Sequence, residues 1–129
     1  MIKLINNTLA AINAAGLAEG IVLAEKAKLD VEKMLQVVGS GSGESAMRAL
    51  KSESMVEGNF DALFKLEHML KDVRYCIAEA RKLGLETSMA RAAEKYYSDA
   101  DAAGRGGEDF SAACAIAGWS PSLRASAMQ

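Results

Sequence analysis

Lys3 and Asn7, near the start of the chain, carry the first chemistry to consider. They stand i, i+4, so a helix places them on one face, a turn apart. A lysine that is partly desolvated, or close to another cation, holds its proton less tightly and can act as acid or base near neutral pH. An asparagine one turn on offers a donor and an acceptor from a single amide and can hold a substrate hydroxyl or carboxylate. Lys71 is the second cation of interest, interrupting an apolar stripe between Leu70 and Val73 together with Asp72. Its plainer reading is a stem lying along the core with the ammonium in water.

Other chemistries find less support. His68, the lone histidine, sits beside Glu67 with no second His or Cys nearby, and reads as a surface or boundary residue rather than a ligand or general base. One histidine and no glycine-flanked elbow serine leave no Ser-His-Asp set. Cys76 and Cys114 lie in apolar helical contexts without metal-like spacing, and read as buried thiols rather than a disulfide, in keeping with a reducing cytoplasm. Glu19 lies deep in an apolar stretch and would need a hydrogen-bond partner or a raised pKa there. The stretch GSGSGES (39–45) invites a phosphate-loop reading. It follows a helix rather than a strand, however, and lacks both the Gly-Lys-Ser/Thr ending and the GxGxxG spacing. A helix C-cap followed by a serine N-cap is the plainer account.

The elements that must position these residues are helices. Lys3 to Lys28 is proline-free and rich in Ala and Leu, and reads as one long helix spanning ~39 Å. Ile2, Ile5, Leu9, Ile12, Ile21 and Leu23 fall on several faces, the pattern of a helix buried in a core or against a partner. Gly16 and Gly20 are costly in a helix and read as an i, i+4 notch where another backbone approaches. Asp30 caps a short second helix with Val31, Met34, Leu35, Val37 and Val38 on its apolar face. A third runs from about Glu44 to Val56, with Ala46, Met47, Leu50 and Met55 apolar, and stops at Gly58-Asn59. The fourth is expected over Phe60–Leu83, with Leu63, Leu66, Leu70, Val73 and Ile77 stepping by three or four. Gly84 ends it. A fifth covers about Thr87–Ala103, GRGG (104–107) turns the chain, and Asp109 or Glu108 starts a last short helix through Phe110, Ala113 and Ile116. The small polar tail after Trp119-Ser120-Pro121 has the composition of a frayed or partner-bound end. The fold class is therefore all-α, about six helices around one long N-terminal helix, in a single domain over 1–129.

Composition agrees. A chain of 129 residues with 50% hydrophobic and 5% aromatic residues can bury a core of closely packed helices. A net charge of −2 gives no basic footprint for nucleic acid. Neither a leader sequence nor an uninterrupted membrane-length apolar run is evident, so a cytoplasmic protein without a membrane partner is expected.

Three stretches together resemble a known family. K-x-x-N-N at Lys3, Asn6 and Asn7 is followed by a leucine- and alanine-rich helix and Leu29-Asp30. F-x-L-x-x-x-L-K-D-V runs from Phe64 to Val73, and Gly-x-Gly-Gly-x-Asp-Phe-Ser occupies 104–111. The set resembles the β-hydroxyacid dehydrogenases, the family of 3-hydroxyisobutyrate dehydrogenase and its 6-phosphogluconate dehydrogenase-like relatives. The resemblance runs from Lys3 to about Ala113, and matches only that family's C-terminal all-helical domain, so the nucleotide-binding Rossmann half is expected to be absent from these residues. It implies that Lys3 is the catalytic acid/base, that Asn7 orients the substrate, and that Lys71, with Phe64 nearby, faces the cofactor. It further implies a small hydroxyacid substrate, NAD or NADP as cofactor (neither held tightly by this chain alone), no metal, and a homodimer built through the long first helix. Two functions follow as expectations. One is the catalytic and dimerisation domain of an NAD(P)-dependent 3-hydroxyacid dehydrogenase, inactive by itself. The other is a free-standing helical dimerisation or ligand-binding module that has lost the chemistry.

Overall fold

The computed structural model describes residues 1–119, so the expectation for the tail from Ser120 lies outside the described residues. Five α-helices follow in order: α1 (Ile2–Lys26), α2 (Val31–Ser40), α3 (Ala46–Glu57), α4 (Leu66–Lys82) and α5 (Ser88–Ala100). A π-helical turn (Asp101–Arg105) continues α5, and a 3-10 helix (Phe110–Ala115) closes the described chain. With that turn counted as the end of α5 there are six helices, and no strand among the described residues, only a single antiparallel bridge between Lys65 and Asp109.

α1 is the axis against which α2, α3, α4, α5 and the 3-10 helix all pack. Its inward face is made of small residues, Ala11, Ala14, Ala15 and Ala18, and then of Ile21 and Val22. These meet Leu66, Met69, Leu70, Val73 and Ile77 of α4, Met47 and Met55 of α3, and Ala112 and Cys114 of the 3-10 helix in one core. Tyr97 of α5 is wholly buried, and its hydroxyl donates to the Ala11 carbonyl at 2.8 Å, fixing α5 on the axis. By length and apolar composition α1 could cross a membrane, yet 44% of its apolar window is buried against the other helices of this fold. Its C-terminus closes two residues before Lys28. The Lys28 N–H donates to the Glu25 carbonyl, the Leu29 N–H reaches back to the Ala24 carbonyl at 2.9 Å, and Lys28 takes a left-handed φ of 59°. That arrangement is a Schellman end with lysine where glycine is usual.

The other face of α1 differs from expectation. Ile2, Ile5, Leu9 and Leu23 are exposed, and a Cβ placed on Gly16 or Gly20 would meet nothing within 4 Å. Among the described residues no backbone fills the glycine notch. The buried carboxylate of the helix is Glu25 rather than Glu19, which lies exposed and accepts a hydrogen bond from the Tyr96 hydroxyl.

Two further expectations need correction. In α3 the buried stripe is Met47, Lys51, Met55, whereas Leu50 is exposed. α4 starts at Leu66, not Phe60, and Leu63 is 88% exposed. Residues 60–65 instead form neither helix nor strand and bend at Leu63 and Phe64 beside the chain that enters the 3-10 helix. The Asp109 N–H donates to the Phe60 carbonyl, Phe110 N–H to the Phe64 carbonyl and Leu66 N–H to the Glu108 carbonyl, at 2.8–3.0 Å. The caps at Asp30, which accepts from the Lys33 N–H, and at Asp109, which accepts from the Ser111 N–H, stand as expected. Ser45 occupies its N-cap position without a side-chain bond.

Candidate functional site

Lys3 and Asn7 lie in the first two turns of α1, and the structure ties that end to the middle of α4. Asn7 Nδ2 donates to Asp72 Oδ2 at 2.7 Å, and Asp72 is only 9% exposed. A carboxylate can only accept, so the amide must turn its nitrogen toward Asp72. One N–H and the amide oxygen of Asn7 remain; the oxygen meets only the Asn6 amide, at 3.5 Å, the limit of a hydrogen bond. Thr8, one residue on, is buried and bonds back to the Leu4 carbonyl at 2.7 Å, which holds this turn of the helix.

The two lysines are placed differently from a buried catalytic pair. Lys3 and Lys71 are both exposed. Lys71 precedes Asp72 on α4, and its ammonium lies 5.8 Å from the centre of the Tyr75 ring. This is the solvent-facing lysine that the plainer reading gives. Phe64 is half-buried near the end of the 60–65 segment, edge-on to Phe110 and His68 with ring centroids 6.2 Å apart in both cases. No hydrogen bond, ion pair or ring contact among the described residues joins Phe64 to Lys3, Asn7 or Lys71. His68 is exposed, as its lack of partners in the sequence suggests.

Asp72 was not singled out as a partner for Asn7, although it adjoins Lys71 in an apolar stripe where a carboxylate must find a donor. A second polar centre was missed entirely. Asp109 is 2% exposed and Lys51 is 5% exposed, and the ammonium lies 3.0–3.1 Å from both carboxylate oxygens and 4.6 Å from the centre of the Phe110 ring. Asp109 also accepts from the N–H groups of Leu63 and Phe64, and from the N–H and hydroxyl of Ser111. Burial alone would raise the Asp109 pKa, but the bonds from Ser111, the Phe64 backbone and Lys51 outweigh it and hold the carboxyl below the usual value. The signal in the sequence is the i, i+4, i+8 row Met47, Lys51, Met55, which puts a lysine on a core stripe.

Both cysteines are free thiols; Cys114 is buried as expected, whereas Cys76 is only half-buried. Burial pushes the Cys114 thiol up to about 12, so it stays protonated at neutral pH. Among the described residues no group of His, Cys, Asp and Glu is placed to hold a metal ion. The donor set near Asn7 (an ammonium, an amide oxygen and an amide N–H) suits a small hydroxyl or carboxylate compound and the reactive ring of a dinucleotide. It holds no glycine-rich cradle for the phosphates of one.

An apolar groove adjoins the site, between α1, the end of α4 and the start of α5. It is lined by Ile5, Leu9, Ile12, Leu83, Leu85 and Met89, with Cys76 at its wall. Most of these side chains are exposed.

Comparison with known proteins gives the same direction. Residues 1–117 match the family model described as the NAD-binding part of NADP-dependent 3-hydroxyisobutyrate dehydrogenase. Glyoxylate/succinic semialdehyde reductase 2 of Arabidopsis thaliana, a chloroplast protein, is 36% identical over 110 residues, covering 85% of this chain and 31% of the relative. The 2-(hydroxymethyl)glutarate dehydrogenase of Eubacterium barkeri is 32% identical over 112 residues, covering 86% and 37%. A crystal structure of 3-hydroxyisobutyrate dehydrogenase from Salmonella typhimurium superposes with a TM-score of 0.84 at 29% identity, over 89% of this chain and 40% of that one. The chain thus spans about a third of the length of the curated relatives it matches.

Proposed function

Because this chain belongs to the 3-hydroxyisobutyrate dehydrogenase family of β-hydroxyacid dehydrogenases, we propose that it is the C-terminal, catalytic and dimerisation domain of an NAD(P)-dependent 3-hydroxyacid dehydrogenase. The all-helical fold supports that placement. A strand-turn-helix for the dinucleotide phosphates is not found among the described residues, so a separate half, on the same polypeptide or another, supplies it. The NAD binding named in the family description then corresponds here to one wall of a shared cleft, with Lys71 and Phe64 on it.

The observation that carries the reading is the Asn7–Asp72 hydrogen bond one turn from an exposed Lys3. Bound NAD(P) supplies the hydride acceptor or donor. Lys3 takes the proton from the substrate alcohol as the carbon is oxidised, and returns it to the carbonyl oxygen in the reverse direction. Asn7, its amide oriented by Asp72, holds the substrate so that the hydroxyl oxygen meets the Lys3 ammonium position. Closure of the nucleotide-binding half over this end of α1 supplies the desolvation that the isolated chain does not.

The exposed apolar stripe of α1 and the open notch at Gly16 and Gly20 fit a second copy of the helix, which supports a homodimer through α1. The test of function is Lys3→Ala in the complete enzyme. Turnover should fall by at least about a thousandfold, the scale of a lost general acid/base, with thermal stability little changed because Lys3 is exposed. Unimpaired turnover would overturn the assignment.

A further inference from the structure

We propose that the buried Lys51–Asp109 ion pair is a positioning device that fixes Phe64 and thereby sets the affinity of the cleft for its nicotinamide cofactor. The proposal rests on the functional reading above, in which Phe64 lies on the cofactor side. The pair itself stands independently of that reading.

Residues 60–65 have no helix or sheet of their own to hold them. Their backbone is secured from one direction, by the chain around Asp109. The Asp109 Oδ1 accepts from Leu63 N–H and Phe64 N–H, both at 3.1 Å, and from Lys51 Nζ, also at 3.1 Å. Its Oδ2 accepts from the Ser111 hydroxyl at 2.7 Å and the Ser111 N–H at 3.0 Å, and lies 3.0 Å from Lys51 Nζ in the ion pair. A single carboxylate thus ties α3, the 60–65 segment and the 3-10 helix at one point, and Lys51 neutralises it there. The Phe64 carbonyl accepts from Phe110 N–H, and the two rings meet edge to face, so Phe64 is located by both its backbone and its ring.

A pair of apolar residues would fill this space at no less stability, since burying two charges costs about as much as their attraction returns. What apolar residues cannot do is accept two consecutive backbone N–H groups in an exposed segment. The pair's distinguishing contribution is therefore the place of Leu63 and Phe64, not the strength of the core. Leu63 itself is mostly in solvent, so its side chain does not anchor the segment.

Lys51→Met and the double variant Lys51→Met/Asp109→Leu test this, the second because it removes the acceptor of both amides and leaves neither charge buried without its partner. Far-UV circular dichroism establishes which of them folds. Amide hydrogen exchange at Leu63 and Phe64 reads the segment, and cofactor KM against kcat of the native dehydrogenase carrying this chain reads the consequence. In a folded variant both amides should exchange about tenfold faster, and cofactor KM should rise about tenfold with kcat at saturation within about twofold. Unchanged exchange at both amides overturns the proposal. So does faster exchange with an unaltered cofactor KM, and so does collapse of both variants, which would assign the pair to stability alone. Absence of turnover in the unaltered protein would instead remove the functional reading, so the unaltered protein tells the two failures apart.

Discussion

Asp72 can accept a hydrogen bond but cannot donate one, and that fact decides how Asn7 presents itself. With its nitrogen committed to Asp72 at 2.7 Å, Asn7 offers an oxygen and one N–H to anything lying over α1. Asp72→Asn keeps the size and removes the rule, because an amide can face Asn7 with either end. The expected result is a fall of about tenfold to a hundredfold in kcat/KM, the effect of losing a charge-assisted bond of about 1.5–3 kcal/mol, with only a small change in melting temperature. Steady-state kinetics on the complete enzyme reads it, and an unaltered kcat/KM would mean that Asn7 needs no orienting partner. Lys51 differs in kind. Its neighbours four residues either side, Met47 and Met55, are core residues, so its position on a buried stripe was legible from spacing. Its partner Asp109, 58 residues away, was not.

At the scale of elements, the ends of the helices were easier to read than their contents. Gly58 and Gly84 stop α3 and α4 with φ of 73° and 76°, a conformation that costs other residues more. The two differ in surroundings. A Cβ on Gly58 would sit 2.5 Å from the Trp119 ring, whereas at Gly84 it would meet nothing within 4 Å. Gly84→Ala should therefore cost about 1–2 kcal/mol for the backbone alone, and Gly58→Ala about 2–4 kcal/mol through backbone and overpacking together. Urea denaturation followed by Trp119 fluorescence measures both. Equal losses would show that the tryptophan gives way freely. The start of α4 was misread for a physical reason. Phe60 to Lys65 contains no helix breaker and carries a plausible apolar step at Leu63. What holds it out of the helix is the Asp109 carboxylate together with the N–H groups of Asp109 and Phe110, to which no local pattern points.

For the whole molecule, the class was legible because Ala-rich helices without strand candidates leave few alternatives. The outward face of α1 was not, because a periodicity that touches every side of a helix cannot say which side meets its own chain and which meets another. Here the small residues face inward, while Ile5, Leu9 and the glycine notch face out. In sedimentation the protein should behave at twice 13.6 kDa. Ile5→Glu/Leu9→Glu should reduce it to the single-chain mass with helix content intact, since both side chains are already about half exposed within one copy. An unaltered protein that sediments as one chain at about micromolar concentration would overturn dimerisation through this face.

The tie at Asp109 also fixes an order of events. Lys51, Leu63 and Phe64 leave the ribosome well before Asp109 does, with 45 residues separating Phe64 from its acceptor. At about 5–20 residues per second, that stretch takes a few seconds to synthesise. Through that interval α1 and α3 can already pack, while the strip from Phe60 to Lys65 waits without its acceptor and Lys51 waits without its counter-charge. A nascent chain halted before the Gly-rich turn at 104–107 would therefore lack both the anchor of this strip and the part of the core that Phe110, Ala112, Ala113 and Cys114 supply.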